Sequence, residues 1–184
     1  MIKLVGISGK KHSGKDTMAQ AFITTLSDIK VIRMAFADPL KDEVCKACGV
    51  TREFLEANKS LFRPILQWWG TEFRRKLFGE NYWIDRTFER IAVSVADVVL
   101  ITDMRFKNEM AAVEKWPAGV TIRIERIGQD VKDPHPSEVD LDDATFDYKL
   151  SNVSDLSTFE HDCARFANRV LTQRIGLSMR GEPE

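Results

Sequence analysis

Apolar positions recur along this chain in two periods, and the periods alternate. Ile2, Leu4, Val5 and Ile7 form a short run that predicts a buried strand over Ile2–Ser8. From Thr17 to Leu26 the apolar spacing becomes helical, which predicts a helix over Asp16–Leu26. Val31, Ile32, Met34 and Phe36 mark a second strand, Lys30–Phe36. Asp38-Pro39-Leu40 then opens a helix, with Asp38 as its N-cap and Pro39 at the first helical position. The pattern stays helical from Thr51 to Val95, with breaks expected at Pro64, Gly70 and Gly79–Asn81. Val98–Ile101 is continuously apolar and predicts a strand buried on both faces. A helix over Lys107–Trp116 ends near Pro117 and Gly119, and a strand follows over Val120–Glu125. Residues 126–146 show no period and read as a mobile loop. A short strand at Phe146–Leu150, a helix over Asp155–Arg174 and a frayed tail, Ser178–Glu184, complete the chain.

Strands that alternate with helices imply an α/β architecture of three layers, a parallel sheet covered by helices on both faces. Ligands on such sheets gather at the carboxyl ends of the strands. A length of 184 residues suits one domain, residues 1–184, with a helical insert at about 38–95 and a candidate lid loop at about 126–146. Composition narrows the function classes. With 43% hydrophobic and 30% charged residues the chain reads as soluble and globular, and a net charge of −1 gives no basis for nonspecific binding to nucleic acid or to a membrane. No apolar run is long enough to span a bilayer, and an N-terminus that leads straight into a core strand leaves no room for a signal peptide. Three cysteines suit a reducing compartment. Cys45 and Cys48 fall on a helical pattern and read as buried thiols rather than zinc ligands. His12, His135 and His161 have no metal-ligand spacing.

The chemistry starts at Gly9-Lys10-Lys11-His12-Ser13-Gly14-Lys15, which has the G-x-x-x-x-G-K spacing of a phosphate-binding loop (P-loop) between a strand and a helix. Glycines let the backbone curl so that its N–H groups converge on phosphate oxygens, the helix start adds a positive dipole end, and Lys15 supplies an ammonium. The next position usually holds Ser or Thr, whose hydroxyl binds magnesium. Here it is Asp16, with Thr17 after it, so either residue is a candidate metal ligand, and Asp16 equally suits the first turn of a helix. Asp103, at the end of an apolar strand, is the candidate third metal ligand or a catalytic acid, with a helix cap as its ordinary alternative. Arg105 can fork onto phosphate oxygens or pair with Glu109 one helical turn on. Gln67-Trp68-Trp69-Gly70-Thr71 with Arg74 and Arg75 offers aromatic faces, an amide and cations for a base and its phosphate, and one of the two tryptophans is expected in the core. Asp38, Lys41, Arg63 and Asp85 can line the same cleft. Arg123 and Arg126 flank the 126–146 loop, whose acidic residues suit a solvated surface as well as a lid.

The ordered set Gly9–Thr17, Phe36-Ala-Asp-Pro-Leu-Lys41, Gln67–Thr71, Tyr82-Trp-Ile-Asp85, Ile101–Glu109 and His135-Pro-Ser-Glu138 resembles the deoxynucleoside monophosphate kinases of tailed bacteriophages, from the first strand to about Asn152. The Gly-Lys-Asp variant of the loop is also similar to phosphomevalonate kinases. The resemblance implies a P-loop nucleoside monophosphate kinase fold, ATP and Mg²⁺, a deoxynucleoside monophosphate acceptor, and a role in precursor supply for viral DNA in the cytoplasm of an infected bacterium. It also implies a homodimer with small-molecule partners. Carried onto this chain, Lys15 and the loop hold the ATP phosphates; read from the residues alone, Arg126, with Arg123, can clamp the transferring phosphate as the loop closes, and Asn152 is a candidate contact on the adenine side. Asp16 or Thr17, with Asp103, serves the metal, and Arg105, Arg74 and Lys41 face the acceptor phosphate. The rival readings are another small-molecule kinase of phosphomevalonate type, an ATPase switch and a non-catalytic interaction module.

Overall fold

The structure is a computed structural model that describes residues 1–126 and 136–172. Residues 127–135 of the expected loop, with His135, and the tail after Thr172 lie outside the described residues. The described elements are β1 (Lys3–Ser8), α1 (Lys15–Thr25), β2 (Val31–Met34), α2 (Asp38–Cys48), α3 (Arg52–Ala57), α4 (Lys59–Gln67), a π-helical segment (Trp68–Arg75), α5 (Lys76–Phe78), α6 (Tyr82–Ala92), β3 (Val98–Ile101), α7 (Lys107–Lys115), β4 (Gly119–Arg126), α8 (Pro136–Val139), β5 (Tyr148–Asn152) and α9 (Leu156–Thr172).

The five strands form one parallel sheet in the order β2-β3-β1-β4-β5, which bears out the α/β three-layer expectation. Alternation along the strands divides the core. Val5, Ile7, Val98, Leu100, Ile122 and Ile124 face α1 and α9, where Phe22 and Phe159 are buried. Truncating either phenylalanine to alanine removes burial worth about 3–5 kcal/mol. Leu4, Val99 and Ile101 face the other way, onto α6, α7 and the Leu141–Phe146 segment. A satellite cluster of Val44, Cys45, Leu55 and Phe62 holds α2, α3 and α4 together as the helical insert.

Several local expectations are corrected. Asp38 does not cap α2. It is the first helical residue, and its carboxylate turns back to accept the Ala35 N–H at 2.7 Å. Asp103 accepts the next two N–H groups, Phe36 at 2.7 Å and Ala37 at 3.0 Å. These carboxylates take the N–H groups that a longer β2 would have given to a ladder, so the strand stops at Met34 rather than Phe36. Pro64 and Gly70 do not break the insert: α4 runs through Pro64, and Gly70 sits within the π-helical segment. There the Gly70 carbonyl accepts a hydrogen bond from the Trp83 indole at 3.0 Å. Thr51 does start a helix, its hydroxyl accepting from the Phe54 N–H at 3.2 Å. The last strand starts two residues later than expected, because the Asp147 carboxylate accepts from both the N–H and the hydroxyl of Thr121 and the ladder opens at Tyr148. Cys45 is buried as expected, but Cys48 is exposed. Among the described residues no group of histidines, cysteines and acids is arranged to hold a metal ion by itself. Among them, too, no helix is long and apolar enough to cross a membrane.

Candidate active site

Because all five strands run the same way, their carboxyl ends form one edge of the sheet, and the site is built there. Residues 9–14 leave β1 and turn into α1 through backbone that only particular residues tolerate. Gly9 and Gly14 have φ of +153° and +110°. A Cβ on Gly9 would lie 2.5 Å from the Ser13 hydroxyl, and one on Gly14 would lie 2.6 Å from the Phe159 ring and 2.9 Å from the Asn152 amide. His12 also has a left-handed φ, +59°. The loop is braced from β4 and β5: Arg126 donates to the His12 carbonyl at 3.2 Å and Asn152 to the Ser13 carbonyl at 2.9 Å. The strand register explains the pairing of these two, since Arg126 lies directly beside Asn152. Both residues line a cavity of roughly 320 Å³ with residues His12–Thr17, Ser154, Leu156 and Phe159. Lys11 is exposed, and the buried Ser13 hydroxyl has no hydrogen-bond partner in the described structure.

Lys15 folds back over its own loop and donates to the carbonyls of Gly9 at 2.6 Å and Lys10 at 2.7 Å. Burial first, and the Arg105 charge second, bring its pKa down from 10.5 to about 8. Asp16 is exposed and forms an ion pair with Arg33, whose Nε also donates to the Thr102 hydroxyl at 3.1 Å. Asp103 follows one residue later. Burial raises its pKa, while the two N–H bonds from Phe36 and Ala37 oppose the shift.

Arg105 and Glu109 do not pair through their side chains in the way their spacing suggests. The Glu109 carboxylate instead accepts the backbone N–H groups of Arg105 at 2.8 Å and Phe106 at 3.1 Å, the N3 half of a capping box, while the Glu109 N–H donates to the Asn108 side chain at 3.0 Å. It is buried, and desolvation together with the Asp103 charge pushes its pKa up to about 7. Arg75 approaches it at 3.5 Å and stacks over Phe106. The Arg105 guanidinium is drawn the other way, onto Glu138.

The aromatic and basic insert residues separate into distinct places. Arg74, expected on the acceptor phosphate, donates to Glu43 at 2.7 Å and lies against the rings of Phe73, Phe78, Tyr82 and Trp69. Trp69 and Tyr82 donate to the same Glu43 carboxylate, so this group is a packing centre. Lys41 pairs with Glu56 at 2.7 Å, and Asp38 pairs with Arg52 at 2.5 Å. Trp69 is the half-buried tryptophan, and Trp68 is exposed and stacked on Phe73. Arg63, Gln67, Thr71 and Asp85 are exposed, and none of them lines the cavity at the loop.

Arg33, Glu43, Arg52 and Asp142 carry interactions that sequence spacing does not show. The only local signal is Arg33, a lone cation in an otherwise apolar strand.

The phosphomevalonate kinase family model matches residues 7–118, from the end of β1 to the turn before β4. The chain belongs to the phosphomevalonate kinase family. A putative deoxynucleotide monophosphate kinase of Acanthamoeba polyphaga mimivirus is 30% identical, over 85% of this chain and 91% of that protein. A deoxynucleoside-5'-monophosphate kinase of Escherichia phage T5 is 28% identical, over 59% of this chain and 70% of its own length. The resemblance to viral deoxynucleoside monophosphate kinases is thereby borne out, and the chain is a P-loop kinase. A gluconokinase from Sinorhizobium meliloti shares the fold, with a TM-score of 0.50 at 12% identity over 97% of this chain and 98% of the other.

Proposed function

We propose that the protein transfers the γ-phosphoryl group of ATP to a deoxynucleoside monophosphate, giving ADP and a deoxynucleoside diphosphate. The observation that carries this is the pair of viral relatives named as kinases of deoxynucleotides, which align with a chain that has a P-loop and a separate group of cations beside it. In this reading the product feeds viral DNA synthesis in an infected bacterial cytoplasm.

The loop amides and Lys15 hold the ATP phosphates, and the cavity lined by Arg126, Asn152 and Phe159 takes the nucleoside end. Lys15 must exchange its two loop carbonyls for phosphate oxygens, a replacement of dipoles by charge that favours the ammonium form. Asp16 and Thr17 line the cavity at the loop and are hard oxygen donors of the kind Mg²⁺ takes, and a phosphate-bound Mg²⁺ needs only one or two of them, so they fit. Asp16 would leave Arg33 to bind, and Asp103, whose two oxygens accept the Phe36 and Ala37 N–H groups, would act through water. Magnesium held there would supply neutralisation of the phosphate oxygens. Arg105 takes the acceptor phosphate, and Glu109 positions Arg105 by holding its backbone N–H. The acceptor oxygen is already anionic, so the protein's work is positioning and charge neutralisation rather than proton removal.

A phosphomevalonate acceptor is the second reading, favoured by the family model. A coupled assay of ADP release tests both, run with ATP and Mg²⁺ across the common deoxy and ribo monophosphates and 5-phosphomevalonate. Turnover with at least one of dGMP, dTMP or dCMP is expected. Turnover with phosphomevalonate alone would replace the proposal by its rival, and ATP hydrolysis indifferent to every acceptor would make the protein an ATPase switch.

A further inference from the structure

Just past the ends of β1 and β3, and on β4 beside the last residue of β1, three cations converge on two carboxylates of the 138–142 segment. Lys10 bonds the Glu138 carbonyl and pairs with Asp142 at 2.7 Å. Arg105 pairs with the Glu138 carboxylate. Arg123 pairs with Asp142 at 2.8 Å and donates to the Ser8 hydroxyl at 3.2 Å. Leu141 and Phe146 anchor this segment in the core, while Asp142 and Asp143 stay exposed.

The room left between these groups is small. The cavity bounded by Gly9, Lys10, Arg105, Arg123, Glu138 and Leu141 measures roughly 10 Å³, about the volume one water molecule requires. A tetrahedral oxyanion cannot enter while both carboxylates stay. The charges nevertheless match: two carboxylates carry −2, and a phosphomonoester carries close to −2 above its second ionisation. Asp142 is 45% exposed, and ion pairs open to solvent hold weakly.

We infer that Lys10, Arg105 and Arg123 form a binding site for the acceptor's phosphomonoester, and that Glu138 and Asp142 hold these cations until the phosphate exchanges with them. The inference deepens the proposed function, because it rests on a phosphorylated acceptor and names the group that receives it. Each carboxylate is a competitor inside the protein, so the affinity for an external oxyanion is reduced by the fraction of molecules in which the cations are already occupied. Glu138 is therefore an exchangeable anion and not a base for a hydroxyl acceptor.

The test fills the P-loop with a non-hydrolysable ATP analogue and Mg²⁺, then titrates inorganic phosphate into the full chain by calorimetry. Phosphate is expected to bind Glu138→Gln/Asp142→Asn about tenfold or more tighter than wild type, and Arg123→Ala at least tenfold more weakly. Equal affinity in wild type and the double variant would overturn the exchange. Absence of phosphate binding in every protein that still binds the ATP analogue would overturn the site. Binding of the analogue certifies that each variant is folded. If the double variant fails that check, Asp142→Asn alone makes the same comparison, with about threefold tighter binding expected and no change overturning the exchange. Parallel titrations with dGMP, dTMP and dCMP separate the two ideas: phosphate binding as expected with binding of none of the three supports the oxyanion site and contradicts the deoxynucleotide acceptor.

Discussion

Raising the pH through 8 should weaken triphosphate binding while it stabilises the empty enzyme, and both effects come from Lys15. Burial and Arg105 hold its pKa at about 8, against 10.5 in an unfolded chain. A bound triphosphate brings negative charge to the ammonium and returns its pKa toward or above the ordinary value. Binding above pH 8 must then take up a proton. Between pH 7 and pH 9 the charged fraction of Lys15 in the empty site falls from about nine-tenths to about one-tenth, so affinity should fall about tenfold, ~1.4 kcal/mol. The second ionisation of a phosphate group is centred near pH 6 and about nine-tenths complete by pH 7, so it adds little to this slope. The sign for folding is opposite. Between about pH 8 and 10.5 the unfolded chain holds a proton on this lysine that the folded chain has lost, so this group's contribution to stability rises with pH across that window. Calorimetry with a non-hydrolysable ATP analogue at pH 7, 8 and 9 measures the affinity, and two buffers of different ionisation enthalpy at pH 8.5 measure the proton. Lys15→Arg, charged throughout, should bind with a flat profile. Urea unfolding should show Lys15→Met more stable than wild type at pH 7, with the gap closing toward pH 10. An affinity that holds constant to pH 9.5 with no proton uptake would refute the placement of Lys15 against the phosphates.

Glu109→Gln should keep both hydrogen bonds at the start of α7, since one oxygen accepts both N–H groups and glutamine serves at that position. The folded-state pKa of Glu109 is raised, so its charge costs stability as pH rises from 4.5 to about 7; urea midpoints of the variant should lose a pH-dependent penalty of about 2–3 kcal/mol over that range. Arg74→Ala should destabilise the insert by about 1–2 kcal/mol by leaving Glu43 without its cation, seen in thermal melts, with little change in the acceptor KM. Arg105→Ala should raise the acceptor KM about tenfold or more through a lost charge-assisted contact while the ATP KM stays within about twofold of wild type. Gly14→Ala should abolish binding of the ATP analogue, because the +110° φ is strained for alanine and its Cβ would meet Phe159 and Asn152; normal binding would show that the loop is not the triphosphate site.

What could be read from the chain alone was the chemistry carried by contiguous residues. The P-loop is a short backbone crown between a strand and a helix, so its spacing and its apolar flanks both lie within some two dozen residues. The placement of Asp103 at the carboxyl edge of the sheet was legible, because an acid two residues after a short apolar run is a local pattern. Arg126 and Asn152 were named as phosphate-clamp and adenine-side candidates, and the β4–β5 register brings them together. What remained hidden depends on pairings between distant segments. Glu138 and Lys10 stand 128 positions apart, and no periodicity reports that an acidic loop will neutralise three cations. The fate of Arg74 was equally invisible, because its partner Glu43 lies 31 positions away on α2 and the short cluster that contains Arg74 does not report that pairing. The strand ends at Met34 and Tyr148 moved for a related reason: carboxylates on Asp38, Asp103 and Asp147 claim backbone N–H groups that propensity assigns to a sheet or a cap.

The most direct measurement is phosphorus NMR of the protein with ATP, Mg²⁺ and dTMP, repeated with dGMP and dCMP. The account predicts that, with at least one of them, ADP and the deoxynucleoside diphosphate appear in equal amounts, with inorganic phosphate rising far more slowly. ADP formed together with an equal amount of inorganic phosphate, and no diphosphate from any acceptor, would contradict it.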